Sequence, residues 1–544
     1  MEKKELKLDK SNENDFDKVE KRKADVFNWL KNKDNLLLVI IIIFAFAIRL
    51  YYFVLTKDQA LWWDEAEYMS AAKHWAFDVP YTLSAQRPPL FQFLAALFLM
   101  SGFEELFIKF VIVLVPSVLL VFSVYLLGKE MFNNKIGLIA ASLTAVSWTL
   151  LFWTARFQPD FFSMLFQVLS IWWMWKFWKN PPRVKLIVLS GIFAALGFNF
   201  KVSGLLVPLI FGIFIFVKDR FAAFKNKYYY YFAIAFVLTL LPYFIWSYFT
   251  FGNPTAVKEG YIAEFTHFPI GWYNIKFYYT LTEGINFILF VIGVIIALRF
   301  LTYADILIKD KKKCFDPNIF SIIVLATISA FYIFYIRNTD DRWVFLWLPF
   351  IFYLIGNSLL YFYQFVKPYN KIIAIAVVFI LLGWGIYGQY KHADELIRNK
   401  IPSYSPVKDA GLWIKQHSNP GDKVLSISYT QTVYYTERNV TSYSLMKNES
   451  ELDRYILDNK PRYIEVSVFE PHPSWILQNG RNNGYDVILM PYLNSSIITK
   501  DGQFVQVDIK PVVEKEGVTY TLVYPQQQLN GMFVYELNYQ ENNL

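Results

Sequence analysis

The sequence predicts an α-helical polytopic membrane protein with about eleven transmembrane helices and a C-terminal mixed α/β domain on the extracytoplasmic side. Hydrophobic residues make up 55% of the 544 residues and charged residues only 18%, whereas soluble proteins carry about 25% charged residues. The composition is uneven, because residues 36–391 consist of long apolar runs and residues 392–544 read as ordinary water-soluble sequence. Lysine and arginine are concentrated in alternate loops between the apolar runs, as in proteins that cross a membrane many times.

The apolar runs predict the individual spans, because a helix of about 20 apolar residues crosses the hydrocarbon core. The runs at 186–199 and 203–217 are short for this purpose. The spans are predicted near 36–55, 105–127, 136–153, 161–178, 186–199, 203–217, 229–250, 281–301, 318–337, 343–365 and 372–391.

The loop charges predict the orientation of the chain. Basic loops mark the cytoplasmic side, so residues 1–34 form a cytoplasmic tail, which is too polar for a cleavable signal peptide. Residues 35–391 form the transmembrane domain, with a long first outer loop at 56–104. An odd number of spans then places residues 392–544 outside the cytoplasm. The net charge of +8 follows from this topology and does not indicate a nucleic acid partner.

The C-terminal region has the pattern of a small α/β domain. Residues 406–417 favour a helix, and the turn at 419–422 follows it. Six β-rich runs come next, at 424–429, 463–469, 485–490, 504–513, 518–524 and 532–539. The single cysteine, Cys314, excludes an intrachain disulfide framework.

Charged residues from distant parts of the chain fall on the predicted outer face. Charge at membrane depth is costly and persists mainly where it is paired or lines a cavity. Carboxylates at such a site can take a proton, and cations can hold a phosphate, arginine as a fork and lysine as a point charge. The residues in question are Asp64, Glu65, Glu67, Tyr68, Arg87, Arg156, Asp160, Lys201 and Arg342.

Each of these residues also has a purely structural interpretation. Asp64 and Glu65 fit the N-terminus of an interfacial helix, where acidic residues are favoured. The segment 87–89 fits a plain turn. Lys201 and Arg342 fit cations that extend from helix ends to the interface. Their common location on one membrane face favours a functional site.

The ordered motifs resemble the GT-C superfamily of membrane glycosyltransferases that use polyprenyl-phosphate sugars. The likeness is to the branch of protein O-mannosyltransferases and lipid A aminoarabinose transferases, and it covers residues 36–391. The motifs are, in order, Asp64-Glu65 with Tyr68, Arg87-Pro88-Pro89-Leu90, Arg156 with Asp160, Lys201-Val202-Ser203-Gly204 with Pro208, and Asp341-Arg342-Trp343 with Pro349.

This resemblance implies a reaction and its principal residues. A single sugar would move, with inversion, from a polyprenyl (dolichyl) phosphate donor to an acceptor hydroxyl at the outer membrane face. Asp64 would be the general base, and Glu65 would assist positioning. Lys201 and Arg342 would hold the lipid phosphate, whose oxygen gains charge in the transition state.

The resemblance also implies supporting roles. Arg87 and Arg156 would contribute to phosphate binding, and Asp160 and Tyr68 would position the sugar or the acceptor. The partners would be the lipid-linked donor, membrane lipid and an acceptor that is a glycan, a lipid or a protein.

Two departures from related branches bear on the acceptor. Oligosaccharyltransferases carry a Trp-Trp-Asp-Tyr-Gly motif in their soluble domain, whereas the only Trp-Trp-Asp here is at residues 62–64. This argues against transfer of a whole oligosaccharide. Protein mannosyltransferases commonly insert a β-trefoil domain in a central outer loop, and no outer loop here is long enough for one.

A divalent metal ion is an open possibility, and no cofactor is firmly implied. His267, together with Glu67 or Glu264, forms a weak candidate ligand set.

Two other functional classes compete with the glycosyltransferase. A transporter or lipid flippase would usually show internal repeats and charged helices near mid-membrane, and the sequence shows no clear repeat. A non-catalytic assembly or receptor protein would leave the acidic and basic loops unexplained.

Overall fold

The structure is a computed structural model. It describes residues 29–258, 269–272, 275–299, 316–337, 340–477, 485–490, 498–500, 503–505, 510–525 and 531–540. Most of the predicted cytoplasmic tail, residues 1–28, lies outside these ranges.

The first part of the chain is helical. Apolar sequence in a bilayer must satisfy its backbone hydrogen bonds internally, and an α-helix does so. The helices are α1 Lys33–Leu55, α2 Trp63–Phe77, α3 Leu90–Met100, α4 Glu105–Lys109, α5 Val115–Met131, α6 Asn134–Val146, α7 Trp148–Thr154, α8 Asp160–Lys179, α9 Val184–Phe200, α10 Leu206–Asp219, α11 Lys227–Phe251, α12 Ile275–Thr282, α13 Gly284–Leu298, α14 Pro317–Ala330, α15 Trp347–Val366 and α16 Lys371–Lys400.

Every predicted span coincides with helical structure over the part of it that the structure describes. Within the described residues, seven helices are long and apolar enough to cross a membrane, or eight if the bent pair α6–α7 is one span. The remaining predicted spans correspond to α8 and to the shorter helices α9 and α13. The chain is thus a multi-pass membrane protein.

A buried arginine accompanies the bend of 52° between α6 and α7. The last carbonyl groups of a helix lack partners within the helix. Arg49 of α1, which is fully buried, donates hydrogen bonds to the carbonyl oxygens of Thr144 at 3.1 Å and Ala145 at 2.8 Å. The cation therefore satisfies the end of α6 inside the bundle.

Close helix packing brings the elements of the site together. Helix α9 packs between α8 and α11. A Cβ at Gly191 would lie 2.6 Å from the carbonyl oxygen of Phe232, so only glycine permits this approach of α9 and α11. Because α8 and α9 are adjacent, the start of α8 and the end of α9 lie side by side.

The C-terminal domain is a mixed α/β domain, as predicted. Its elements are α17 Ser405–His417, β1 Lys423–Ser426, α18 Tyr429–Thr436, β2 Asn439–Thr441, α19 Glu449–Asn459, β3 Tyr463–Ser467, α20 Asp486–Leu489, β4 Ile498–Lys500, β5 Gln503–Val505, β6 Val512–Lys515, β7 Val518–Tyr524 and β8 Met532–Tyr539. The main sheet has the order β2-β1-β3-β8-β7-β6, in which β1 pairs in parallel with β2 and β3, and the remaining neighbours are antiparallel. A separate hairpin joins β4 and β5.

One strand prediction in this domain is wrong. Residues 485–490 contain the short helix α20, in which Ile488 and Leu489 are fully buried in the domain core. A short apolar run does not distinguish a buried strand from a buried helix. The predicted strand at 504–513 coincides with β5 at its start and β6 at its end, and residues 506–509 lie outside the described residues.

Candidate active site

The candidate site is a polar cleft at one end of the helical domain. Five charged residues meet there from separate elements. Asp64 lies in the first turn of α2, and Arg87 lies in the segment between α2 and α3. Asp160 begins α8, Lys201 follows α9, and Arg342 belongs to the 3₁₀ turn Asp341–Val344.

Helix α2 presents the Asp64 carboxylate from its N-terminus. Unpaired N–H groups of a first helical turn favour a nearby negative charge. The turn is closed by Glu65, whose side chain accepts a hydrogen bond from the N–H of Trp62 at 2.9 Å. Asp64 is thereby left free to face the cleft.

Asp64 bridges two arginines. Its Oδ2 lies 2.6 Å from Nη2 of Arg342, and its Oδ1 lies 2.8 Å from Nη2 of Arg87. The side chain is 17% exposed. Burial alone would raise the pKa of the Asp64 carboxyl, but the charges of Arg87 and Arg342 outweigh burial and hold this pKa well below its usual range. Asp64 is therefore ionised at neutral pH.

Arg87 is fixed from three sides. Its Nη2 also lies 2.8 Å from Oε2 of Glu67, and its Nε donates to the same oxygen at 3.1 Å. The guanidinium lies 5.2 Å from the ring centre of Tyr68, which is buried. Glu67 and Tyr68 thus hold Arg87 against Asp64.

Lys201 and Asp160 form a second ion pair in the same cleft. Asp160 benefits from the N-terminus of α8, and Lys201 has extended backbone geometry where α9 ends. A small cleft lined by Asp160, Lys201, Arg342 and Trp343 joins this pair to the Asp64–Arg342 pair. Lys201 and Arg342 therefore line the same cleft.

The turn that carries Arg342 is held by two further aspartates. Asp341 is buried and accepts hydrogen bonds from Oγ1 of Thr149 at 2.6 Å and Nε1 of Trp153 at 2.9 Å. Asp340 lies 3.2 Å from Nε of Arg342. Burial, followed by the neighbouring Asp340, raises the pKa of Asp341 to about 7. Sequence reasoning did not assign roles to either aspartate, and their adjacency to Arg342 was the one available signal.

Glu65 and Arg156 lie apart from the cleft as a buried pair. Their side chains are 1% and 2% exposed, and Oε2 of Glu65 lies 3.4 Å from Nη1 of Arg156. Glu65 also accepts a hydrogen bond from the N–H of Phe157 at 2.5 Å. The Arg156 guanidinium stacks 3.7 Å from the ring centre of Trp62. This pair ties the start of α2 to the segment before α8 and does not join the other predicted site residues.

An apolar cavity of about 370 Å³ opens beside the cleft. It lies between α9, α10, α11 and the π-helical turn Phe331–Ile336. Lys201 and Trp343 line both the cavity and the cleft. Other lining residues include Phe198, Tyr243, Phe244, Lys258, Tyr335 and Ile336. A long apolar ligand can therefore lie in the cavity with a charged end at Lys201.

The described residues do not offer an obvious metal site. Within them, no group of three or more histidines, cysteines, aspartates and glutamates is arranged to hold a metal ion. The Glu67 carboxylate faces Arg87 instead, while His267 and Glu264 lie outside the described residues. Metal use stays a prediction.

Comparison with known proteins identifies the fold. Residues 86–246 match the model of the dolichyl-phosphate-mannose-protein mannosyltransferase family. No curated protein matches the chain by sequence. Among solved structures, the archaeal oligosaccharyltransferase AglB from Archaeoglobus fulgidus, in complex with an inhibitory peptide and a dolichol-phosphate, has a TM-score of 0.60 and 13% identity. That match covers 80% of this chain and 70% of AglB.

A second solved structure is matched over nearly the whole of its own chain. ArnT from Cupriavidus metallidurans, bound to undecaprenyl phosphate, has a TM-score of 0.56 and 12% identity, with 86% of this chain and 97% of ArnT covered. The family match spans Arg87, Arg156, Asp160 and Lys201, and the fold matches span both the helical and the C-terminal regions. The chain therefore has the fold of these membrane glycosyltransferases, and residues 86–246 also match the mannosyltransferase family in sequence.

Proposed function

We propose that this protein transfers a single sugar from a polyprenyl (dolichyl) phosphate donor to an acceptor hydroxyl, with inversion, at the extracytoplasmic face. The observation that carries this proposal is the contact between Asp64 and Arg342 in a cleft that Lys201 connects to an apolar cavity. A carboxylate, two cations and an apolar cavity match the three parts of the reaction: base, leaving phosphate and lipid chain. The lipid phosphates bound to AglB and ArnT support a carrier of the same class.

The apolar cavity is the proposed site of the donor's lipid chain. Its walls are mainly aromatic and aliphatic, and helices α10 and α11 expose apolar side chains around it. The phosphate would lie at Lys201 and Arg342. Lysine supplies a point charge, and arginine supplies a fork that matches phosphate oxygens.

In the proposed reaction, the acceptor oxygen attacks the anomeric carbon as the bond from that carbon to the phosphate oxygen breaks. The hydroxyl proton passes to Asp64, and the electron pair of the broken bond leaves with the phosphate. A donor diester carries one negative charge, and the released monoester carries up to two. Lys201 and Arg342 stabilise this developing charge. A single displacement inverts the configuration.

The ion pairs in the structure connect donor binding to base strength. In the structure, Arg342 is paired with Asp64 and Lys201 with Asp160. An incoming phosphate competes for both cations. As Arg342 turns to the phosphate, Asp64 loses one of the charges that depress its pKa and becomes a stronger base. The base is thus activated when the donor arrives.

The remaining predicted residues have supporting parts in this proposal. Arg87 keeps Asp64 oriented, and Tyr68 packs against Arg87. Asp160 positions Lys201 and is available to a sugar hydroxyl once Lys201 binds phosphate. Glu65 and Arg156 act by holding the start of α2, because their own atoms are closed off from the cleft.

The test is sugar release by the purified protein in detergent, with a panel of polyprenyl-phosphate sugars. Asp64→Asn should abolish turnover of the accepted donor while leaving the protein folded. Asp58→Asn is the matched control, because Asp58 lies in the same loop and its side chain is 87% exposed. Equal turnover in Asp64→Asn and wild type would rule out the proposed base.

The same panel separates the competing classes. Donor binding without turnover would indicate a missing acceptor, and acceptor hydroxyls would be varied next. If no donor binds, flux of lipid or solute through liposomes that contain the protein would support a transporter or flippase instead.

A further inference from the structure

We propose that helix α18 of the C-terminal domain positions the Asp64 carboxylate by fixing the backbone of Leu61 and Trp63 at the start of helix α2. The inference rests on the proposed role of Asp64 as the base. It gives the C-terminal domain a part in the reaction beyond covering the helical bundle.

The first observation is that α18 binds both backbone groups of Leu61. The N–H of Leu61 donates to the hydroxyl of Tyr435 at 2.8 Å. The carbonyl oxygen of Leu61 accepts from Nε2 of Gln431 at 2.9 Å. Thr430 adds a third bond, from its Oγ1 to the carbonyl oxygen of Trp63 at 3.2 Å.

These bonds lie in a buried interface. Gln431 is fully buried, and Thr430 and Tyr435 are less than one tenth exposed. Hydrogen bonds without competition from water constrain a backbone more strongly than exposed ones. The three side chains leave α18 on the side that faces α2, so the helix contacts the segment as one rigid surface.

The segment before Leu61 is also held by the C-terminal part of the chain. Nζ of Lys408 donates to the carbonyl oxygen of Asp58 at 2.9 Å. The side chain of Gln59 bonds to the carbonyl oxygen of Lys400. The segment 58–63, which leads to Asp64, is therefore hydrogen-bonded along its length to residues between 400 and 435.

On its opposite side, α18 is anchored to the sheet. The Thr432 hydroxyl bonds to the carboxylate of Glu465 in β3 and lies 2.8 Å from the Ser426 hydroxyl in β1. All three side chains are fully buried. The sheet thus fixes the position of α18, and α18 in turn holds the residues that precede Asp64.

Position matters here because a shift of about 1 Å in a reacting group can lower a rate by about two orders of magnitude. Asp64 lies one residue after Trp63, and its carboxylate must face both the acceptor and Arg342. The lipid cavity lies on α9 to α11 and makes no use of α18. Loosening α18 from Leu61 should therefore impair the chemical step and spare donor binding.

The test uses Tyr435→Phe and Gln431→Met in the full-length protein. Each removes one hydrogen-bonding group and nearly preserves shape. Tyr434→Phe is the matched control, because the Tyr434 hydroxyl bonds to Glu105 of α4 and not to the segment before Asp64. We expect kcat to fall about tenfold in the two test variants, with the donor KM unchanged within about two-fold.

Hydrogen–deuterium exchange of residues 58–66 provides a readout independent of activity. Exchange should accelerate in Tyr435→Phe and Gln431→Met and stay slow in Tyr434→Phe. Faster exchange with an unchanged kcat would overturn the positioning role and leave the proposed function intact. An equal loss of kcat in all three variants would overturn it too, since general destabilisation would then account for the loss.

Failure of the proposed function would look different. A wild-type protein that transfers no sugar from any donor would refute the reaction and, with it, the positioning of a base. Exchange at residues 58–66 would then still report whether α18 holds this segment.

Discussion

At the scale of single residues, the carboxylates of the site differ by their surroundings. Asp64 and Glu65 are neighbours in the sequence, yet Asp64 faces the cleft and contacts two arginines. Glu65 is buried and accepts hydrogen bonds from three donors. The first turn of a helix points successive side chains in directions about 100° apart. These two adjacent acidic side chains therefore lie in different environments.

Arg342→Gln is predicted to shift the pH dependence of the reaction. The substitution removes one of the charges that lower the pKa of Asp64, while the burial that raises it remains. The pKa of Asp64 should rise, and because the base acts when ionised, the acid limb of kcat/KM should move to higher pH. Turnover at neutral pH should also fall about 100-fold or more, since the leaving phosphate loses a cation.

The measurement is a pH profile of kcat/KM, which reports the pKa values of the free enzyme. Arg398→Gln provides the control, because Arg398 is half-exposed in α16 and pairs with Asp394 in the same helix. An acid limb that stays in place in Arg342→Gln would show that Asp64 does not titrate in the reaction.

At the scale of elements, the ends of helices build the site. The N-termini of α2 and α8 carry Asp64 and Asp160, and the end of α9 carries Lys201. Between α9 and α10, the 3₁₀ turn Val202–Leu205 leads from the cation into the wall of the apolar cavity. A helix break thus joins the charged cleft to the apolar cavity.

Leu205→Trp is predicted to raise the KM for long-chain donors several-fold, because the indole would occupy part of the cavity. Leu205 lines the cavity and is 43% exposed, so the larger side chain disturbs little core packing. A donor with a short, water-soluble prenyl chain should keep its KM. Leu209→Trp is the matched control, since Leu209 is 44% exposed one turn further along and does not line the cavity.

Donor titrations with short and long chains in both variants provide the measurement. If the KM for the long-chain donor is the same in Leu205→Trp as in wild type, the lipid chain lies elsewhere.

At the scale of the whole molecule, the helical and C-terminal domains meet through a partly buried ion cluster. Nζ of Lys73 in α2 lies 3.0 Å from Glu105 in α4 and 3.0 Å from Glu437, just after α18. The Tyr434 ring centre lies 4.4 Å from the same ammonium group. Burial opposes the charge of Lys73, and the two carboxylates more than compensate, so that its pKa is raised.

Lys73→Met is predicted to destabilise the protein by about 1 kcal/mol, because Glu105 loses its ammonium partner while Glu437 retains Lys415. The midpoint of thermal unfolding in detergent should fall. Lys57→Met, at a position whose side chain is 52% exposed, should leave the midpoint unchanged. A stable Lys73→Met protein would show that the cluster contributes little to the joint between the domains.

Sequence reasoning succeeded where one physical effect dominates. The described residues of every predicted span contain helix, because hydrocarbon offers no partners for backbone groups. The charged loop residues could be assigned to one site because charge at membrane depth is costly and persists mainly where it is paired or lines a cavity. The strand predicted at 485–490 failed because a short apolar run satisfies either a strand or a helix, and packing around Ile488 and Leu489 decides between them.

Hydropathy and loop charge were thus enough to specify a multi-pass fold with a separate C-terminal domain and to name the residues that gather at its polar face. Tertiary structure alone decided which charges pair, that Glu65 and Arg156 are closed off from Asp64, and that α18 holds Leu61. These outcomes depend on contacts such as the one between Leu61 and Tyr435, which are 374 positions apart. Periodicity and composition describe neighbours along the chain, whereas such contacts arise only when the packed helices and the sheet set the distance between their side chains.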